Sequence, residues 1–131
     1  MCIFCKIVSG EIPCVKIDES ASSIAFLDVS PLSKGHLLVV PKQHHEFFHQ
    51  LSPDEASDCM TLLNKIAKAM ALDSYNILQN NGRSAHQFVP HVHFHLIPKS
   101  GEQGLGVVWN SQEISKEDLN KIGEDIRSKL Q

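Results

Sequence analysis

His91-Val92-His93-Phe94-His95-Leu96-Ile97-Pro98-Lys99 places three histidines on alternate positions between apolar residues. In an extended strand successive side chains point to opposite faces, so His91, His93 and His95 share one face while Val92, Phe94 and Leu96 share the other. Alternate residues on one face lie roughly 6.5–7 Å apart, which lets neighbouring imidazoles serve one ligand or one metal. The polar face of a half-buried strand more often carries Thr, Lys, Glu or Ser, so three histidines in register point to chemistry. Imidazole is a nucleophile, a proton carrier and a metal ligand near neutral pH. Two readings follow: a nucleophile with its helpers, or a three-histidine metal site that keeps a position open.

Working outward, Val92–Ile97 is read as the last of five strands, stopped by Pro98, and Tyr75–Gln79 as the strand before it, with Asn80-Asn81-Gly82 as a turn. Val15–Ile17 and Ser23–Leu27 form a hairpin across the polar stretch Asp18–Ser22, and a third strand, His36–Val40, is stopped by Pro41. Ser52-Pro53-Asp54-Glu55 is a helix start, with Ser as cap, Pro in the first helical position and Glu three residues after the cap. Ala56, Cys59, Met60, Leu63, Ile66, Ala67 and Met70 then recur at spacings of three and four, which makes one core-facing stripe and Cys59 a core thiol. Leu119, Ile122 and Ile126 after Ser115 mark a second, shorter helix, weakened by Gly123. The expected class is α+β, with a mostly antiparallel five-stranded sheet, one long helix and one shorter one.

The 131 residues are read as a single domain, 1–131, able to bury a core without disulfides. With 12 basic and 15 acidic residues and a net charge of −3, nothing draws the chain as a whole toward nucleic acid or an anionic membrane. No secretory or membrane-spanning apolar run is visible, so the protein is expected in the cytoplasm, and in the nucleus as well. Four cysteines in that setting are thiols or metal ligands rather than disulfides.

Cys2-Ile3-Phe4-Cys5 has the spacing of two ligands of a tetrahedral zinc, but zinc needs two more, and His44, His45, His49 and His86 lie outside the triad. A redox pair is the competing reading. It predicts an exchangeable disulfide and no zinc. His36 follows Gly35 at a strand start. Asp28 ends a strand, where a carboxylate either makes a turn or accepts hydrogen bonds from both hydroxyls of a ribose.

His91-Val92-His93-Phe94-His95-Leu96-Ile97 resembles the signature of the histidine triad superfamily. Ile3-Phe4-Cys5-Lys6-Ile7, Ala25-Phe26-Leu27-Asp28, Gly35-His36-Leu37-Leu38-Val39-Val40-Pro41-Lys42-Gln43-His44 and Asn80-Asn81-Gly82 stand in the order of its nucleotide-binding Hint branch. The resemblance covers nearly the whole chain. It implies a homodimer that hydrolyses purine nucleoside phosphoramidates such as adenosine 5′-monophosphoramidate or AMP joined to a lysine amine. His93 would be the nucleophile, with His95 and His36 as its phosphate-side helpers. By the same similarity Asp28 binds ribose with Val29 beside it, Ile3, Phe4, Ile7 and Phe26 form the slot for the base, and Asn80 and Gln87 hold the phosphate end. Trp109 resembles a tryptophan that completes the partner protomer's site.

A subgroup of the superfamily joins a C-x-x-C pair to two histidines. Here those residues are Cys2, Cys5, His44 and His91, a closed structural zinc site that takes His91 out of direct chemistry. The chain departs from the animal Hint pattern where His86-Gln87-Phe88 replaces Gly-Gln-Ser, and Asn81 stands where an acid is common. His86 is read as a surface imidazole. Two other functions compete: dinucleoside polyphosphate hydrolysis, as in the fragile-histidine-triad branch, and a nucleotide-binding adaptor. The preferred base and the physiological amine are not written in an apolar slot and one carboxylate.

Overall fold

The computed structural model describes residues 2–131. Helix α1 (Ile3–Ser9) leads into strands β1 (Lys16–Glu19), β2 (Ser23–Leu27) and β3 (Leu37–Pro41). Helix α2 (Pro53–Met70) follows, then β4 (Tyr75–Leu78), β5 (Phe94–Pro98) and helix α3 (Lys116–Lys129). The five strands make one antiparallel sheet in the order β1-β2-β3-β5-β4.

Alternation along the strands divides the apolar residues between two cores. Ala25, Leu37, Val39, Phe94 and Leu96 face α2 and pack on its Cys59, Leu62, Leu63 and Ile66. Ile24, Phe26, Leu38 and Val40 point the other way, onto Phe4 of α1. Helix α2 begins as its sequence demands: the Ser52 hydroxyl accepts from the Glu55 N–H, and the Glu55 carboxylate accepts from the Ser52 N–H. Close by, the Asp58 carboxylate accepts from the hydroxyls of Ser20, Ser22 and Ser23, which ties α2 to the β1–β2 turn.

The five strands lie where the sequence puts them, with ends shifted by one or two residues. Two expectations are corrected. Among the described residues there are three α-helices rather than two, because α1 escapes a reading that treats Cys2–Cys5 only as a ligand pair. Its helical spacing is visible in Ile3, Phe4, Ile7 and Val8, and Gly10 closes it at φ 85°. The last strand starts at Phe94, not Val92, so His91 and His93 precede the regular ladder. His91 N–H bonds the Val89 carbonyl and Val92 N–H that of His45, both off the sheet. Helix α3 forms despite Gly123, but Leu119, Ile122 and Ile126 are all exposed.

Candidate active site

The triad histidines keep to the α1 side of the sheet, and each meets a different partner. His93 is 7% exposed, and its Nδ1 lies 2.7 Å from the His91 carbonyl oxygen. A carbonyl only accepts, so the proton is on Nδ1 and the Nε2 lone pair is free. The ring packs edge-on against Phe4 and His95, at 5.0 Å and 4.9 Å between centroids. Burial pushes its pKa below the ordinary histidine value, against the pull of the His91 carbonyl and Asp28, so His93 is neutral at pH 7.

A second chain of hydrogen bonds fixes His36 and His95. The Leu32 N–H donates to His36 Nδ1 at 3.0 Å, so neutral His36 carries its proton on Nε2. That Nε2–H donates to His95 Nδ1 at 2.9 Å, which leaves the His95 proton on Nε2. Asp28 Oδ2 lies 3.5 Å from His36 Nε2, while its Oδ1 accepts from the Ser30 N–H. Burial lowers His36 despite Asp28. Burial together with His93 and His36 lowers His95 to about 4. At pH 7 the ligand-free site therefore holds neutral imidazoles, with one free lone pair on His93 and one N–H on His95.

Cys2, Cys5, His44 and His91 converge separately, with donor atoms all within 4.8 Å of one another. His91 Nδ1 is 3.3 Å from Cys2 Sγ, 3.6 Å from Cys5 Sγ and 3.1 Å from His44 Nδ1, and Cys5 Sγ is 3.4 Å from His44 Nδ1. Ligands at tetrahedral angles around one zinc lie roughly 3.3–3.8 Å apart, so these four donors fit such an ion with little adjustment. On its other side, His91 Nε2–H donates to the Pro41 carbonyl at 2.8 Å, the kind of outer bond that orients a metal-binding imidazole.

The remaining expected residues divide. Phe4 and Phe26 are buried edge-to-face at 5.7 Å, Ile7 packs beside them, and Ile3 and Val29 are exposed. Asn80 donates to the His86 carbonyl. Gln87 is buried, its amide oxygen accepting from the Gly82 N–H and its amide nitrogen donating to the Glu46 carbonyl, and these two bonds brace the loop. Trp109 is 86% exposed on the segment leading to α3. The backbone groups that set the tautomers, at Leu32, Pro41 and His91, have no signal in side-chain pattern.

Residues 9–102 match the model of the HIT domain. The chain is 57% identical to the adenosine 5′-monophosphoramidase hnt1 of Schizosaccharomyces pombe over 98% of both chains. It is 48% identical to the adenosine 5′-monophosphoramidase HNT1 of Saccharomyces cerevisiae, over 99% of this chain and 83% of that one. Its fold superposes on a histidine triad nucleotide-binding protein from Candida albicans with a TM-score of 0.94 and 44% identity, covering 99% and 97% of the two chains. With the triad, its helpers and this likeness in agreement, the chain is a member of the HIT family.

Proposed function

We propose that this chain hydrolyses purine nucleoside 5′-phosphoramidates through a nucleotidyl-histidine intermediate. The observation that carries the reading is the His91 carbonyl on His93 Nδ1, which leaves a neutral imidazole with Nε2 as nucleophile. The relatives named as adenosine 5′-monophosphoramidases support the substrate class. The Phe4–Phe26 slot receives the base, and Asp28 the ribose hydroxyls.

Substrate phosphate, placed against the His95 Nε2–H, raises the pKa of that imidazole again, because a neighbouring anion favours the charged form. The His36–His95 pair then holds the proton that the amine needs. His93 Nε2 forms its bond to the α-phosphorus as the P–N bond to the amine breaks, and the amine nitrogen takes the proton from His95. Water next attacks phosphorus. Its proton goes to His95, its oxygen stays on AMP, and His93 leaves as neutral imidazole.

Cys2, Cys5, His44 and His91 hold a structural zinc in this account. All four positions are protein ligands, so the ion supplies rigidity to the loop that carries the His91 carbonyl, and no step passes through it. Two copies pair into a homodimer, supported by exposed Tyr75 and Ile77 on the edge strand β4 and by exposed Val108 and Trp109 before α3.

Hydrolysis of adenosine 5′-monophosphoramidate measured beside diadenosine polyphosphate tests the reading. Faster turnover of the phosphoramidate is expected, and the opposite ranking overturns it. Metal analysis of protein purified without chelator is expected to give one zinc per chain, and a Cys2–Cys5 disulfide without zinc contradicts the metal assignment. Sedimentation is expected to show a dimer.

A further inference from the structure

The turn that carries Leu32 is held from outside by two bonds that the proposed mechanism does not use. Pro31-Leu32-Ser33-Lys34-Gly35 lies between β2 and β3 and has the composition of an ordinary turn. Ser33 is nevertheless buried, and its hydroxyl donates to the Pro98 carbonyl at 2.6 Å, across 65 residues of sequence. The Ser33 carbonyl in turn accepts from the His36 N–H at 3.1 Å. One residue earlier, the Leu32 carbonyl accepts from the Gly104 N–H at 3.2 Å. The peptide that joins Leu32 to Ser33 is therefore tied on both sides to the end of β5 and the turn that follows it.

Gly104 owes its place in this clasp to its missing side chain. Its φ is 129°, where a residue with a Cβ is strained. A Cβ there would stand 3.0 Å from the Pro98 carbonyl oxygen and 3.3 Å from Lys99 Cα. That oxygen is the acceptor of the Ser33 hydroxyl, so a side chain at position 104 would press on both ties at once.

The clasp bears on the reaction through one hydrogen atom. The Leu32 N–H on His36 Nδ1 keeps the His36 proton on Nε2, and that proton faces His95 Nδ1. If the turn shifts and the donor is withdrawn, His36 can carry its proton on Nδ1, and its Nε2 becomes an acceptor. His95 then donates from Nδ1, and its Nε2 turns to the substrate as a bare lone pair. No proton is left there for the departing amine.

We infer that Ser33, with Gly104, is a positioning residue for the reaction: the two hold the Leu32 amide on His36 Nδ1 and so keep the transferable proton on His95 Nε2. The inference rests on the phosphoramidase reading and deepens it. Both residues act through the Leu32 peptide.

Ser33→Ala removes the hydroxyl without adding bulk, and urea denaturation establishes that the variant is folded. Its kcat for adenosine 5′-monophosphoramidate is expected to fall by about tenfold, with KM within about twofold of wild type. Its nitrogen-15 spectra should show His36 divided between Nε2–H and Nδ1–H, where the wild type shows Nε2–H. Gly104→Ala should shift the same signals in the same direction. In a His36→Ala background, Ser33→Ala should cost no further activity, because the residue it acts through is gone, whereas a merely structural loss would add. An unchanged kcat, a wild-type His36 spectrum in folded Ser33→Ala, or an additive loss in the double variant overturns the inference while the phosphoramidase reading stands. A wild type that does not hydrolyse the compound overturns both.

Discussion

Replacing His36 with alanine tests the tautomer chain from both ends. The imidazole is buried, accepts from the Leu32 N–H and donates to His95 Nδ1, so its loss leaves one donor and one acceptor without partners. An orphaned buried polar group costs about 1–3 kcal/mol, and hydration of the exposed Leu32 loop spares part of that, so the total should be about 2–4 kcal/mol. Urea denaturation at pH 7.5 reads this out. The chemical consequence is separate. Without its donor, His95 is free to carry the proton on either nitrogen, and kcat/KM for adenosine 5′-monophosphoramidate should fall by about 100-fold. Nitrogen-15 spectra of the imidazoles should show Nε2–H on His36 and His95 and Nδ1–H on His93 in the wild type, with His95 divided between tautomers in His36→Ala. A wild-type His95 protonated on Nδ1, or unchanged turnover in the variant, refutes the reasoning.

Acid should weaken the fold through the same histidines. His36 is lowered and His95 reaches about 4, so in the window between the ordinary histidine value and about 4 the unfolded chain binds more protons than the folded one. Stability therefore rises with pH across that window and is lost on acidification. His95 accounts for about 2–3 kcal/mol between pH 7.5 and 4, and His95→Asn should flatten the pH dependence of the urea midpoint accordingly. Asp58→Ala removes the acceptor shared by three serine hydroxyls, leaving Ser20 the Ser23 carbonyl and buried Ser23 only the Cys59 sulfur, and should cost about 1–3 kcal/mol in the same assay with little change in KM.

What the sequence made legible follows physical range. The start of α2 could be read because Ser52 and Glu55 satisfy each other within one turn, and the β2–β3 core because strand alternation sends Ile24 and Phe26 one way and Ala25 the other. Helix α1 was hidden because the same residues also spell a ligand pair: Cys2 is at once its N-cap, with Sγ accepting from the Cys5 N–H, and a donor toward His91. The triad's shared face held. Its division of labour did not show in the spacing, because His91 is turned by Cys2 and the Pro41 carbonyl, His93 by the His91 carbonyl and His95 by His36. The two backbone partners of Gln87 escape the sequence for a related reason: they come from Gly82 and from Glu46, 41 residues away.

The central claim is that His93 Nε2 becomes covalently nucleotidylated. Wild-type protein mixed with excess adenosine 5′-monophosphoramidate, quenched within milliseconds in alkaline denaturant and mapped by mass spectrometry, should carry AMP on His93. His93→Ala should bind AMP, form no adduct and show no turnover. An adduct on His95, His36 or any other residue, or hydrolysis retained in His93→Ala, would contradict the account.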